Sequence, residues 1–228
     1  PEFFSLRGNE RVLNAGFGEG PQAIVYNGHF ATMTGVDVQP ERLDRARGIL
    51  ESRGVKNVEL IVSNVEKIPR ADGSYDTSFA IDIIEHVEHP DVFVAELFRL
   101  LAPGGRLLIT FPATHDPFMD AMSALGRVLK PWKKRDAHPT QWHPDHHQHE
   151  YQVHEWRAIV ERVGFRFVRS GATTMFPPLH LYGIPRIWFS WEWLHRIDRA
   201  LCRTPLQRFG QTVMAEFVKP DPQRLLYI

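Results

Sequence analysis

Two hydrophobic rhythms alternate over the first 110 residues. Short apolar runs bounded by turn residues occur at 11–15 (RVLNA), 32–39 (TMTGVDVQ, ending in effect at Asp37), 58–64 (VELIVSN), 75–82 (YDTSFAID) and 106–112 (RLLITFP). Between them, at 21–30, 40–54 and 89–102, apolar residues recur at spacings of three and four. The first rhythm predicts strands and the second predicts helices with one buried face. Pro21 and Pro40 stand at helix starts, where a missing N–H is harmless. Gly54 ends the second helix, and Pro103-Gly104-Gly105 ends the third. Strands alternating with helices predict βαβ units, hence a doubly wound α/β fold around a mostly parallel sheet. Ligands of such sheets lie at the carboxyl ends of the strands. A glycine turn, Asp37, Asn64 and Asp82 all fall there.

The rhythm breaks after residue 112. Residues 113–150 are irregular and rich in His, Pro, Trp and Lys. A helix (VHEWRAIVERVG, 153–164) and a sixth strand (FRFVRS, 165–170) follow, and QTVMAEFVKP (211–220) alternates as a last, antiparallel strand. The chain therefore reads as one domain, 1–228, with insertions at 113–153 and 171–210 on the substrate side. Within the second insertion Ile184, Ile187, Trp188, Trp191, Leu194, Ile197 and Leu201 form one helical stripe flanked by arginines. That stripe suits a cap over the active site; peripheral contact of 184–203 with a membrane is the alternative. LKPWKKRD (129–136) suits a solvated loop or a site for an anionic substrate or lipid headgroup.

Charge narrows the partners. Basic and acidic residues balance at 27 each, so no global field favours nucleic acid, and a small-molecule substrate is the expectation. The balance hides an asymmetry: residues 1–110 carry 11 basic and 16 acidic side chains, and the insertions lie in the basic half. Cys202 is the only cysteine, which excludes an intrachain disulfide and a thiolate cluster. With no long apolar run and no signal peptide, a cytoplasmic location is expected.

The glycine turn, VLNAGFGEG (12–20), places Gly16, Gly18 and Gly20 after the first strand. The dinucleotide fingerprint GxGxxG would need glycine at 21, where Pro21 stands. A mononucleoside-like ligand fits better than NAD(P). Asp37, 17 residues past Gly20, stands where such sheets set a carboxylate against ribose hydroxyls.

These segments, with GVDVQPERLDRARG, SNVEKIP, YDTSFAIDIIEHVEHP and LLAPGGRLLITFP, resemble the class I S-adenosylmethionine-dependent methyltransferases, of the type 11/12 and ubiquinone-type O-methyltransferase kind. The resemblance spans roughly residues 8–170 and the last strand. It implies a seven-stranded, Rossmann-like sheet, mostly parallel with one antiparallel strand. It implies S-adenosyl-L-methionine over the first strands: Gly16 and Gly18 under the methionine portion, Asp37 at the ribose and Asn64 and Val65 at the adenine edge, with Asn14, Gly20, Val38 and Asp82 also binding the cofactor. Asn14 and Asn64 replace acids that are usual in the family, keeping hydrogen bonding but losing charge.

Asp82, Glu85 and His86 are spaced i, i+3, i+4, which on a helical turn puts them on one face where they could hold Mg²⁺ or Zn²⁺. The resemblance to metal-dependent subgroups adds a histidine after the fifth strand, and His147 in HQHEY matches best. Without metal, His86 or His147 is the candidate base. The activity expected is O-methylation of a small, apolar or lipid-like molecule. N-methylation of a small amine and a non-catalytic adenosylmethionine-binding module are the alternatives.

Overall fold

A computed structural model describes residues 4–112, 148, 149, 151–172, 196, 197, 200, 202, 204 and 212–223. The apolar runs become strands β1 (Arg11–Ala15), β2 (Thr32–Asp37), β3 (Val58–Val62), β4 (Tyr75–Ala80) and β5 (Leu101–Pro112). Helices α1 (Pro21–Val25), α2 (Pro40–Ser52) and α3 (Pro90–Leu100) lie between them, and α4 (Val153–Val163), β6 (Arg166–Ala172) and β7 (Thr212–Val218) complete the order. The strands form one seven-stranded sheet in the order β3-β2-β1-β4-β5-β7-β6. β1 to β5 pair in parallel, and β7 runs antiparallel to both β5 and β6.

Alternation along β1 divides the core. Val12 joins Phe17, Met33, Leu43 and Phe79 on the face covered by α1 and α2. Leu13 joins Phe93, Leu97, Trp156 and Val160 on the face covered by α3 and α4. Both faces of the central strands are thus buried, which is why they read as continuous apolar runs.

Two boundaries differ from the periodicity by more than two residues. The helix expected over 21–30 stops at Val25 with Tyr26 as its C-cap, and Gly28, two residues on, takes a left-handed φ of 79° as the chain turns. β5 starts at Leu101, not Arg106: Leu101 pairs with Tyr75 before an irregularity in the register.

The amino ends of the parallel strands are closed by a buried charge cluster. Arg106 on β5 donates from Nη2 to Glu10 Oε1 at 2.7 Å and to the Ser5 carbonyl at 2.8 Å, and Glu216 on β7 lies 3.4 Å from its Nη1. Thr77 Oγ1 donates to the same Glu10 oxygen at 2.6 Å. Burial pushes the Glu10 carboxyl up, but bonds from Thr77, the Arg7 amide and Arg106, with the Arg106 charge, outweigh it and hold the group below its ordinary range.

Most of the expected insertions, the LKPWKKRD run and most of the 184–203 stripe lie outside the described residues; Ile197 of that stripe is 43% exposed. Among the described residues no helix is long and apolar enough to cross a membrane.

Candidate active site

The chain leaves β1 and folds straight back over the end of β2: the amides of Gly16 and Phe17 both donate to the Val36 carbonyl at 2.9 Å. The three glycines of this turn do different things. A Cβ on Gly16 would lie 2.8 Å from Ile83 Cγ1, and one on Gly20 would lie 2.7 Å from the Phe17 ring. Gly18 faces open space, and its φ of 56° is its requirement. Phe17 itself turns inward over Gly35, which has no side chain to obstruct it.

Asp37 ends β2, and both its oxygens are anchored. Oδ2 accepts the Gly18 amide at 2.8 Å and Oδ1 accepts the Gln39 amide at 2.9 Å. A carboxylate has about four acceptor sites, so two remain for a ligand. After β3, Asn64 Oδ1 accepts the Glu66 amide at 2.8 Å in a turn of its own. Because that amide can only donate, the Asn64 atom facing it is the oxygen.

The opposite wall is the loop 81–89. Asp82 adopts φ 49°, a conformation that aspartate tolerates better than most residues. Thr110 on β5 holds it there: the Asp82 amide donates to Thr110 Oγ1 at 2.8 Å, and that hydroxyl donates to Asp82 Oδ1 at 2.9 Å. A single turn follows, closed by the His86 amide on the Ile83 carbonyl at 2.9 Å.

These walls enclose a cavity of about 350 Å³ at the carboxyl ends of β1 to β4. That volume lies in the range of small-molecule sites, roughly 300–1,000 Å³. Gly16, Asp37, Val38, Asn64, Val65, Asp82 and His86 line it, so most of the residues singled out in the sequence are brought together. Gly18 and Gly20 shape the turn behind it. Asn14 is buried beneath the turn, where its Nδ2 donates to Gln22 at 3.2 Å and its Oδ1 has no hydrogen-bond partner among the described residues; it braces α1 and does not line the cavity. His147 lies outside the described residues.

The lining also includes Gln39, Arg42, Glu66, Ile83, Val87 and Glu88, which sequence reasoning missed. Arg42 had a readable signal. It stands in the first turn of α2, and helical side chains lean toward the amino end, here toward Asp37.

Asp82, Glu85 and His86, the residues expected to share a metal face, are not set at regular helical spacing. The left-handed backbone at Asp82 breaks the helical spacing, and Asp82 Oδ1 is engaged by Thr110. Glu85 is 3% exposed, is not among the cavity-lining residues, and has one oxygen 4.0 Å from His86 Nε2. Among the described residues no group of three His, Cys, Asp or Glu side chains could hold a metal ion.

An open α/β sheet with this strand order, an anchored acid after β2 and a cavity at the strand ends defines the class I methyltransferase fold. Residues 13–109 match the family model described as a methyltransferase domain. The uncharacterized methyltransferase YcgJ of Bacillus subtilis is 29% identical over 138 residues, covering 60% of this chain and 54% of that protein. The O-methyltransferase rstn1 of Aspergillus nomiae is 31% identical over 119 residues, covering 51% of this chain and 50% of that one. A crystal structure of a protein from Bacillus halodurans, described as a methyltransferase, aligns with a TM-score of 0.67 at 20% identity over 96% of each chain, a likeness of fold. The chain spans about half the length of the curated relatives it matches. Over residues 13–109 the chain is thus similar to the methyltransferase domain family, and its fold is that of the solved methyltransferases.

Proposed function

We propose that this protein transfers a methyl group from S-adenosylmethionine to the oxygen of a small, apolar acceptor. The observation that carries the reading is the division of one cavity between two kinds of group. Asp37, with both oxygens pinned by backbone amides, stands at one side, and Asp82 and His86 stand on the loop after β4.

Asp37 would accept hydrogen bonds from ribose hydroxyls with its remaining lone pairs. Gly16, lacking a side chain, lets the main chain approach the ligand. Asn64 would offer its carboxamide N–H₂ to the base, its oxygen being taken by the Glu66 amide. Asp82 contributes a carboxylate toward a ligand that carries positive charge. Adenosylmethionine, when bound, supplies an electrophilic methyl on sulfur. His86, its side chain 18% exposed at the cavity, would take the acceptor's hydroxyl proton. Apolar lining from Val65, Ile83 and Val87 supports an apolar acceptor, and alignment supplies much of the rate. No step is assigned to a metal.

Calorimetry with adenosylmethionine and adenosylhomocysteine tests the binding half. The catalytic half is tested by turnover of phenolic, carboxylic and amine acceptors by wild type and His86→Gln. Tight binding lost in Asp37→Ala, with turnover of a hydroxyl or carboxyl acceptor, is expected. Turnover of amines alone would replace oxygen by nitrogen in the proposal. Binding with no turnover on any acceptor would make the protein a non-catalytic binding module.

A further inference from the structure

We infer that His149 is a positioning residue for the acceptor-side wall of this cavity, an inference that rests on the reading above. Residues 85–88 belong to neither helix nor strand, so their carbonyls depend on partners from elsewhere. Those partners come from one short segment before α4. The Gln148 amide donates to the Glu85 carbonyl at 2.7 Å. His149 Nε2 lies 3.2 Å from both the Val87 and the Glu88 carbonyl oxygens. Carbonyl oxygens only accept, so Nε2 carries the hydrogen and shares it between the two.

The ring cannot turn freely out of this arrangement. It stacks on Tyr151 with centroids 5.5 Å apart and planes within 16°, and it meets the fully buried Trp156 edge-on at 6.3 Å and 89°. Tyr151 and Trp156 also pack edge-on, at 4.8 Å. An aromatic platform on the start of α4 therefore aims one N–H at the loop. Of residues 85–88, His86, Val87 and Glu88 line the cavity. The histidine-rich stretch thus contributes a donor that sets the wall, and His149 acts through the main chain of the loop, without touching the ligand.

Three substitutions separate the N–H from the ring. His149→Gln carries an N–H at the Nε2 position without the ring. His149→Phe keeps the ring and loses the N–H. His149→Asn moves the N–H to the Nδ1 position, out of reach. In the ligand-free protein, hydrogen–deuterium exchange over 84–89 should quicken in His149→Phe and His149→Asn and stay near wild type in His149→Gln. Affinity for adenosylhomocysteine should fall about tenfold in the first two and recover in the third. If His149→Phe matches wild type in both, or His149→Gln is as impaired as His149→Phe, the N–H has no positioning role and the inference is overturned. Should His149→Phe fail to fold, His149→Asn against His149→Gln decides. Failure of the wild type to bind adenosylhomocysteine would overturn the proposed function alone, because the exchange comparison needs no ligand.

Discussion

Thr110 and Asp82 exchange two hydrogen bonds, one in each direction: the Asp82 amide donates to the threonine hydroxyl at 2.8 Å, and the hydroxyl donates to the Asp82 carboxylate at 2.9 Å. Asp82 has the only positive φ among the described non-glycine residues. Thr110→Val keeps the shape and removes both bonds, leaving a part-buried amide without its acceptor. A loss of about 1–3 kcal/mol is expected in the local structure. Adenosylhomocysteine affinity should drop about tenfold, and Thr110→Ser should restore it. Calorimetry on the three proteins checks this; equal affinities would mean that Asp82 holds its conformation unaided.

Gly35 lies at the middle of β2 with the Phe17 ring against it. Gly35→Ala would drive a methyl group into that ring, and the ring has Gly20 on its other side. Overpacking of this kind costs about 1–3 kcal/mol. Urea unfolding should register that loss. Because Phe17 sits within the glycine turn, ligand affinity should weaken as well. An unchanged unfolding midpoint would show that the turn can yield.

Asp37→Asn replaces an acceptor by a donor at a position where both oxygens face backbone N–H groups. One of the Gly18 and Gln39 amides must then lose its partner, at about 1–3 kcal/mol. The ribose also loses an acceptor, so affinity for adenosylmethionine should fall by about a hundredfold or more. Retention of wild-type affinity would remove Asp37 from the ligand site.

Glu10 gives the acid side of stability a definite sign. Its carboxyl is held below its ordinary range in the folded chain, so it stabilises fully above the unfolded value of about 4.3 and loses that contribution as pH falls through the folded one. Glu10→Gln should therefore lower stability at neutral pH, by about 3 kcal/mol because Arg106 keeps its buried charge with one fewer carboxylate. It should also flatten the decline below about pH 4. Chemical denaturation at pH 7 and pH 3 compares the two limbs, and parallel curves for variant and wild type would contradict the assignment.

The fold was legible because its cues are local. The run at 11–15 and the prolines at 21 and 40 announced strand, turn and helix in order, and the central strands read as apolar because both their faces are covered. The end of α1 was misplaced because Gly28, where the chain turns, stands inside an otherwise helical spacing. Asp37 and Asn64 were legible as polar residues closing apolar runs. Thr110 was not, since it sits within the apolar run of β5 and its meaning lies in a residue 28 positions away. Spacing could not show that a left-handed residue stands at Asp82, where a regular helical turn was expected, nor that Glu85 is buried. His149 could not be chosen from its neighbours by composition, because only the packing of Tyr151 and Trp156 distinguishes it.

The position of β7 has a consequence for the nascent chain. β6 reaches the sheet only through β7, and β7 joins β5 along a ladder from Arg106–Val218 to Pro112–Thr212. During synthesis the β5 margin therefore stays open until residues near 218 leave the ribosome, although β1 to β5 can already have assembled. An open apolar margin of that kind invites association between molecules. Synthesis of residues 212–218, and not completion of the parallel half, is thus what covers the β5 margin.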